Sequence, residues 1–202
     1  FARLDPDQFR AGFISWVNSI RQLISEEVIA IDGKQNRRTH DKKLGRKAIH
    51  MVSAWASQNK LVFGQVKVDS KSNEITAIPK LLQMLYIKGC IITIDAMGCQ
   101  KQIAKCIVQK EADYILALKG NHKTLHNQVE EVFSSILAGN EIEFDYFNTV
   151  DKNHGRIEIR QCWAVQVADI SLIGSEQWAN FRTIALVIDE RLIGEKKQYD
   201  LG

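Results

Sequence analysis

Two apolar runs in this chain stop on a carboxylate. The stretch "VIAIDGKQNRRTH", residues 28–40, carries Ile-x-Ile into Asp32, and "CIITIDAMGC", residues 90–99, carries Ile-x-Ile into Asp95. Apolar runs this short and this rich in β-branched residues read as strands. A strand that ends on an acid sets that acid at a sheet edge, so the fold must make two such ends tolerable.

The surrounding pattern supplies the sheet. Strand-like runs at 28–32, about 48–56 and about 61–68 succeed one another, and the polar turn "SQNK" between the last two predicts a hairpin. Strand and helix then alternate. A helix is expected over 76–88, with Thr76 as cap and Pro79 in its first turn, and Gly89 after it. A strand over 90–95, expected to be buried on both faces, leads to a helix over about 98–111. A strand within 113–121 precedes a helix over about 122–138, stopped by Gly139.

Three short-linked strands favour an antiparallel meander, and strand–helix–strand units favour parallel neighbours with right-handed crossovers. A mixed α/β sheet of order 3-2-1-4-5 satisfies both. It sets the strands of Asp32 and Asp95 side by side and pointing the same way, at the edge where open α/β sheets place their ligands. Ahead of it, residues 5–24 predict an entry helix capped by Asp5, with Phe9, Phe13, Trp16, Val17, Ile20 and Leu23 on one stripe. Behind it, period-two alternation over 156–167, a strand over 181–189 and the leg "RLIGEKKQY" predict an antiparallel β-rich end. The domains expected are 1–27, an entry helix; 28–140, the catalytic core; and 141–202, a C-terminal antiparallel β insertion.

Two carboxylates brought together repel unless one is protonated or a cation lies between them. Oxygen donors at a sheet edge suit Mg²⁺ or Mn²⁺. Two such ions about 3.5–4 Å apart form the clamp used for in-line phosphodiester cleavage and transfer. The plainer alternatives are that Asp95 caps the helix after it and that Asp32 starts a turn with Gly33. Beside Asp32 the charge is uneven. From Gly33 to Lys47 stand Lys34, Arg37, Arg38, Lys42, Lys43, Arg46 and Lys47 against Asp41 alone, a local +6 in a chain whose net charge is +3. Such clustering marks either a phosphate-binding surface or a solvated loop. "KGNHK", residues 119–123, comes after the strand expected next to that of Asp95, so Lys119, Asn121 and His122 are candidates for the same edge. His122 and His126 at i, i+4 raise zinc, but without a third ligand nearby.

At 202 residues the chain accommodates one full core with a small addition. No apolar run approaches the ~20 residues that cross a bilayer, and no signal peptide is visible. The four cysteines lack Cys-x-x-Cys spacing and read as buried free thiols in a reducing cytosol. The chain opens on Phe1 and closes without a natural element terminus, so it is expected to be a piece of a longer protein.

"IAIDGKQNRRT", "ITIDAMGCQKQIAKCIVQKEADYILALKGNH" and "HGRIEIR" closely resemble DDE-type transposases of bacterial insertion sequences, in the H-repeat-associated, insertion-sequence-4-like branch. The resemblance covers about residues 5–195. It implies a ribonuclease-H-like fold and Mg²⁺- or Mn²⁺-dependent strand cleavage and transfer. It also implies double-stranded DNA as partner (transposon ends and target), a homodimer in the working complex, and a cytoplasmic location. By it, Asp32 and Asp95 are the first two acids of a catalytic triad and its metal ligands. Two sources stand open for the third. Glu158 lies in "HGRIEIR", 63 residues after Asp95, the interval that also separates Asp32 from Asp95. The period-two pattern, however, sets Glu158 on one face with Arg156 and Arg160, as on a solvated or DNA-facing strand. The other source is a glutamate on a late helix beyond Gly202. In that case the 202 residues hold two acids of three, and a DNA-binding relic without turnover is the alternative function. An actin-like phosphotransferase would need glycine-rich phosphate loops, whereas "IDGKQNRRT" holds a single glycine.

Overall fold

The computed structural model describes residues 4–21, 27–35, 50–68, 73–153, 156–193 and 196–201. The chain divides into two compact units, Phe1–Asn121 and His122–Gly202.

The first unit begins with helix α1, Pro6–Arg21. Asp5 caps it as expected, its Oδ1 accepting the N–H groups of Asp7 at 2.8 Å and Gln8 at 3.2 Å. The buried stripe is narrower than expected. Ile14 and Val17 are buried, whereas Phe9 and Trp16 are 61% and 53% exposed. Strands β1 (Val28–Gln35), β2 (His50–Ala56) and β3 (Leu61–Lys67) come next. Helix α2 (Glu74–Met84), strand β4 (Ile91–Ile94), a 3-10 turn (Ala96–Gly98), helix α3 (Lys101–Gln109) and strand β5 (Asp113–Leu116) complete the unit. The sheet order is β3-β2-β1-β4-β5, the order read from the sequence. β1 pairs antiparallel with β2 and parallel with β4, and β4 pairs parallel with β5.

Helix α2 starts earlier than expected because Asn73, not Thr76, caps it. The Asn73 side chain accepts the Thr76 N–H, and Pro79 consequently stands inside the helix. Ile29, Ile31, Val52, Ala54, Ile92 and Ile94 form one core with Ile78, Leu81 and Leu82 of α2 and Ile103 and Ile107 of α3. These helices cover one face. On the other, Trp55 is 42%, Ile91 37% and Ile115 63% exposed. β4 is therefore half-buried, against the expectation of burial on both faces. A run of four with Thr93 as its single polar residue carries too little alternation to have shown it. At the far end of β1, the buried Glu27 carboxylate accepts the Gln58 N–H at 2.7 Å and the Asn59 side-chain amide, fastening the β2–β3 turn.

The second unit holds helix α4 (Lys123–Leu137) and strands β6 (Asp145–Asn153), β7 (Arg156–Gln166), β8 (Thr183–Ile193) and β9 (Lys196–Leu201). These form an antiparallel sheet of order β6-β7-β8-β9. Phe133 and Ile136 of α4 share a core with Val165, Leu172 and Ile184, so the helix expected to close the catalytic core packs with the second sheet. Gly139, at φ +86°, ends it as expected. β6 carries no apolar stripe that the sequence pattern would reveal. It is an edge strand, and its Tyr146, Phe147 and Val150 are 46%, 68% and 55% exposed.

The one-sided core predicts an asymmetry in stability. Leu82→Ala should cost about 3 kcal/mol as a cavity in the first unit's core. Ile115→Ala, on the open face, should cost less than about 1 kcal/mol. Urea unfolding monitored by circular dichroism measures both, and equal losses would mean that the open face is covered.

Candidate active site

The two acids meet through strand pairing. β1 and β4 run parallel with Ile31 opposite Ile94 as the last pair of their ladder, and Asp32 and Asp95 are the residues that follow that pair. Ile31 and Ile94 are buried on the helix-covered face, and both aspartates are exposed. Alternation along a strand sends both carboxylates to the open face.

Their settings differ. The expected turn at Gly33 does not form, because β1 continues to Gln35. Gly33 instead admits a neighbour: a Cβ there would lie 2.1 Å from Oε1 of Glu74, whose carboxylate is buried and lies 2.5 Å from His50 Nε2. The sheet beneath Asp32 is thus clamped by the first residue of α2 and by β2. Asp95 does act as a cap, for the 3-10 turn Ala96–Gly98. Its Oδ1 accepts the N–H groups of Met97 at 3.2 Å and Gly98 at 3.4 Å. These bonds orient the carboxylate, and no described hydrogen bond reaches its Oδ2. A Cβ on Gly98 would lie 2.2 Å from Ile94 Cγ2, so the turn closes tightly onto the strand. Asn121 adds a tie from the loop after β5, its Nδ2 donating to the Ala96 carbonyl at 2.9 Å. Capping and ligation are compatible here, since one oxygen serves the turn and the other has no described hydrogen bond.

Among the described residues, no group of three or more His, Cys, Asp or Glu side chains converges as a metal cage. The donor set is a pair of exposed carboxylates on rigid strands, all oxygen, which fits a hard divalent cation completed by water or substrate oxygens. Burial pushes the nearby Cys99 thiol up to about 11 and the Tyr114 phenol up to about 12, so both are neutral at physiological pH. The four cysteines stand as thiols, with Cys90 and Cys99 buried.

Lys34 is exposed on β1, two residues beyond Asp32. Arg37, Arg38, Lys42, Lys43, Arg46 and Lys47 lie outside the described residues. Lys119 is exposed in the loop that Asn121 ties to the Asp95 turn. His122 belongs to the second unit, where its ring meets Trp178 edge-on at 5.1 Å. His126 faces Glu130 at 3.3 Å. Glu158 sits in an ion-pair cluster on β7, with Arg156 Nε at 2.9 Å and Arg160 Nη2 at 2.8 Å. Sequence reasoning missed Glu74 and the tie made by Asn121. The only signal for the first was Gly33, which reads in the sequence as a turn residue and stands inside β1.

The chain belongs to the transposase DDE domain family, whose model matches residues 23–171. It is similar to two Escherichia coli (strain K12) proteins, a putative transposase YncI and an H repeat-associated putative transposase YhhI. Identity to the first is 49%, covering 79% of this chain and 64% of that protein. Identity to the second is 42%, covering 96% of this chain and 52% of that protein. The chain thus spans about half to two thirds of the length of these relatives. A solved piggyBac transposase synaptic complex with hairpin DNA overlaps 79% of this chain and 37% of its own, at 10% identity and a TM-score of 0.40, too distant to support any detail.

The clamp under Asp32 gives a direct test. Gly33→Ala should destabilise the protein by about 1–3 kcal/mol through the clash with Glu74. In a Glu74→Ala background the same change should cost clearly less. A double-mutant cycle by chemical denaturation reads the coupling, and strict additivity would mean that Gly33 and Glu74 do not touch.

Proposed function

We propose that this chain is the metal-binding core of a DNA transposase that cuts and rejoins phosphodiesters, built on a ribonuclease-H-like sheet. The observation that carries the reading is the parallel pairing of β1 with β4, whose last pair, Ile31 and Ile94, is followed on each side by an exposed aspartate, in a chain of this family. The two carboxylates are the ligands of Mg²⁺ or Mn²⁺, which when bound supplies Lewis-acid activation of the attacking oxygen and charge relief for the leaving one. The chain's own contribution is placement. β1 and β4 fix the spacing, the Asp95 turn orients its carboxylate through one oxygen, and the Glu74–His50 clamp holds β1 flat beneath Asp32. Lys34 and the basic run to Lys47, with Lys119, offset backbone charge on double-stranded DNA without choosing sequence. The remaining acid of the triad comes from outside this pair. The working state is a homodimer on transposon ends and target, and the location is the cytoplasm. Among the described residues, no helix is long and apolar enough to cross a membrane.

A DNA-binding relic without turnover is the second reading, favoured by the engagement of Glu158 with Arg156 and Arg160. Mn²⁺ titration by electron paramagnetic resonance, with a cleavage assay on the full-length protein, separates the two. Asp32→Asn and Asp95→Asn should each weaken Mn²⁺ binding by about 100-fold and abolish cleavage. Cleavage that persists in either variant would reject the site. Mn²⁺ binding without any cleavage by the full-length wild type would leave the relic. Wild-type binding to duplex DNA should weaken with salt by a log–log slope of about −0.9 per phosphate contact, and a flat response would remove DNA as the partner.

A further inference from the structure

Glu158 is placed unlike the two aspartates. Its side chain is only 14% exposed, and both carboxylate oxygens face guanidinium groups. Arg156 Nε reaches Oε1 at 2.9 Å from the same strand, and Arg191 Nε reaches that oxygen at 3.6 Å from β8. Arg160 Nη2 takes Oε2 at 2.8 Å. Arg160 is held on its other nitrogens as well, by Asp151 of β6 at 3.2 Å and Asp189 of β8 at 3.0 Å. The register makes this possible, since Glu158 lies opposite both Asp151 and Arg191, and Arg160 lies opposite Asp189.

These charges have two consequences. A divalent cation at Glu158 would sit among three guanidinium groups, where like-charge repulsion opposes it. The three arginines also do different work. Arg160 has all three nitrogens bound to acids and is neutralised in place. Arg156 and Arg191 share a single carboxylate oxygen through Nε, and no described ion pair or hydrogen bond uses their terminal nitrogens. Both are about half exposed, at 51% and 46%. The shared oxygen offsets the repulsion that would otherwise part them. Two forks, each with paired terminal N–H donors, are thereby held on one sheet face, the donor geometry that matches a phosphate.

We propose that Arg156 and Arg191 form a seat for a backbone phosphate of double-stranded DNA, and that Glu158 is the positioning residue that holds them together rather than the third metal ligand. This rests on DNA being the partner. It adds Arg191 to the contact surface and gives Arg160 the role of lock, not contact.

The test uses the 202-residue chain, a double-stranded oligonucleotide and Mn²⁺ alone. Charge by itself makes Glu158→Gln tighten DNA binding, because an anion leaves the surface. Positioning predicts the opposite sign: weaker binding, by about tenfold, as the forks separate. Arg156→Gln with Arg191→Gln, at exposed positions that leave the core untouched, should reduce the salt slope by about 1–2. Arg160→Gln should weaken binding with a smaller change in slope. Mn²⁺ affinity should be unchanged in Glu158→Gln and lost in Asp32→Asn. Tighter DNA binding by Glu158→Gln, loss of its Mn²⁺ affinity with the fold intact, or an unchanged slope in the double arginine variant would each overturn the proposal. Absence of salt-sensitive DNA binding by the wild type would instead overturn the DNA reading on which it stands, and the seat with it.

Discussion

The parallel pairing of β1 with β4 is the constraint on which the candidate site depends. Ile31 opposite Ile94 buries two side chains in one core and makes Asp32 and Asp95 the residues that follow a paired position. Apolar burial supplies the driving force, on the order of 2 kcal/mol for each large aliphatic side chain removed from water. The cost is electrostatic: two like charges follow neighbouring strands. They are tolerable because both face water on the open side, where solvent screens them, and because a cation there would turn repulsion into binding. Core and site are opposite faces of the same two strands.

Rigidity around the pair comes from two close approaches at glycines. Gly33 lets the Glu74 carboxylate lie against the backbone of β1, and Gly98 lets the turn after Asp95 press on Ile94. In each case a side chain is absent close to a candidate acid, so that another group can brace the strand. The Asn121 bond to Ala96 braces the same turn from the loop after β5. Placement of ligands to within a fraction of an ångström requires such support, since a carboxylate on a loose end loses entropy when it binds.

The sheet order was legible because it depends on link lengths and crossover rules, which require only the sequence of elements. The positions of Asp32 and Asp95 were legible for the same reason. Local register was less so. Asn73 displaced Thr76 as the cap of α2: both are good capping residues three positions apart, and the Asn73 side chain takes the Thr76 N–H. The one-sided burial of β4 was hidden in a run with too little alternation. β6 was hidden because an edge strand in water needs no apolar stripe. Glu74 could not be read as a brace at all, since nothing local in "NEITAIPK" says that a strand far along the chain passes its first turn.

The acids of this chain suggest a physical criterion for sorting carboxylates that sequence patterns treat alike. Glu27 has its oxygens on the N–H groups of one turn and is buried. Glu158 has its oxygens on guanidinium groups and is nearly buried. In both, the charge is already compensated by the protein, so a metal ion would have to displace bonds of comparable strength. Asp32 and Asp95 differ in that their strands hold them together while little in the described structure neutralises them. Only Asp95 is bonded, through one oxygen to two backbone N–H groups that fix its direction and leave its full charge. A carboxylate pair that the fold assembles but does not satisfy retains electrostatic free energy that a bound cation can release. That difference, rather than spacing along the chain, separates Asp32 and Asp95 from a glutamate found at the same 63-residue interval.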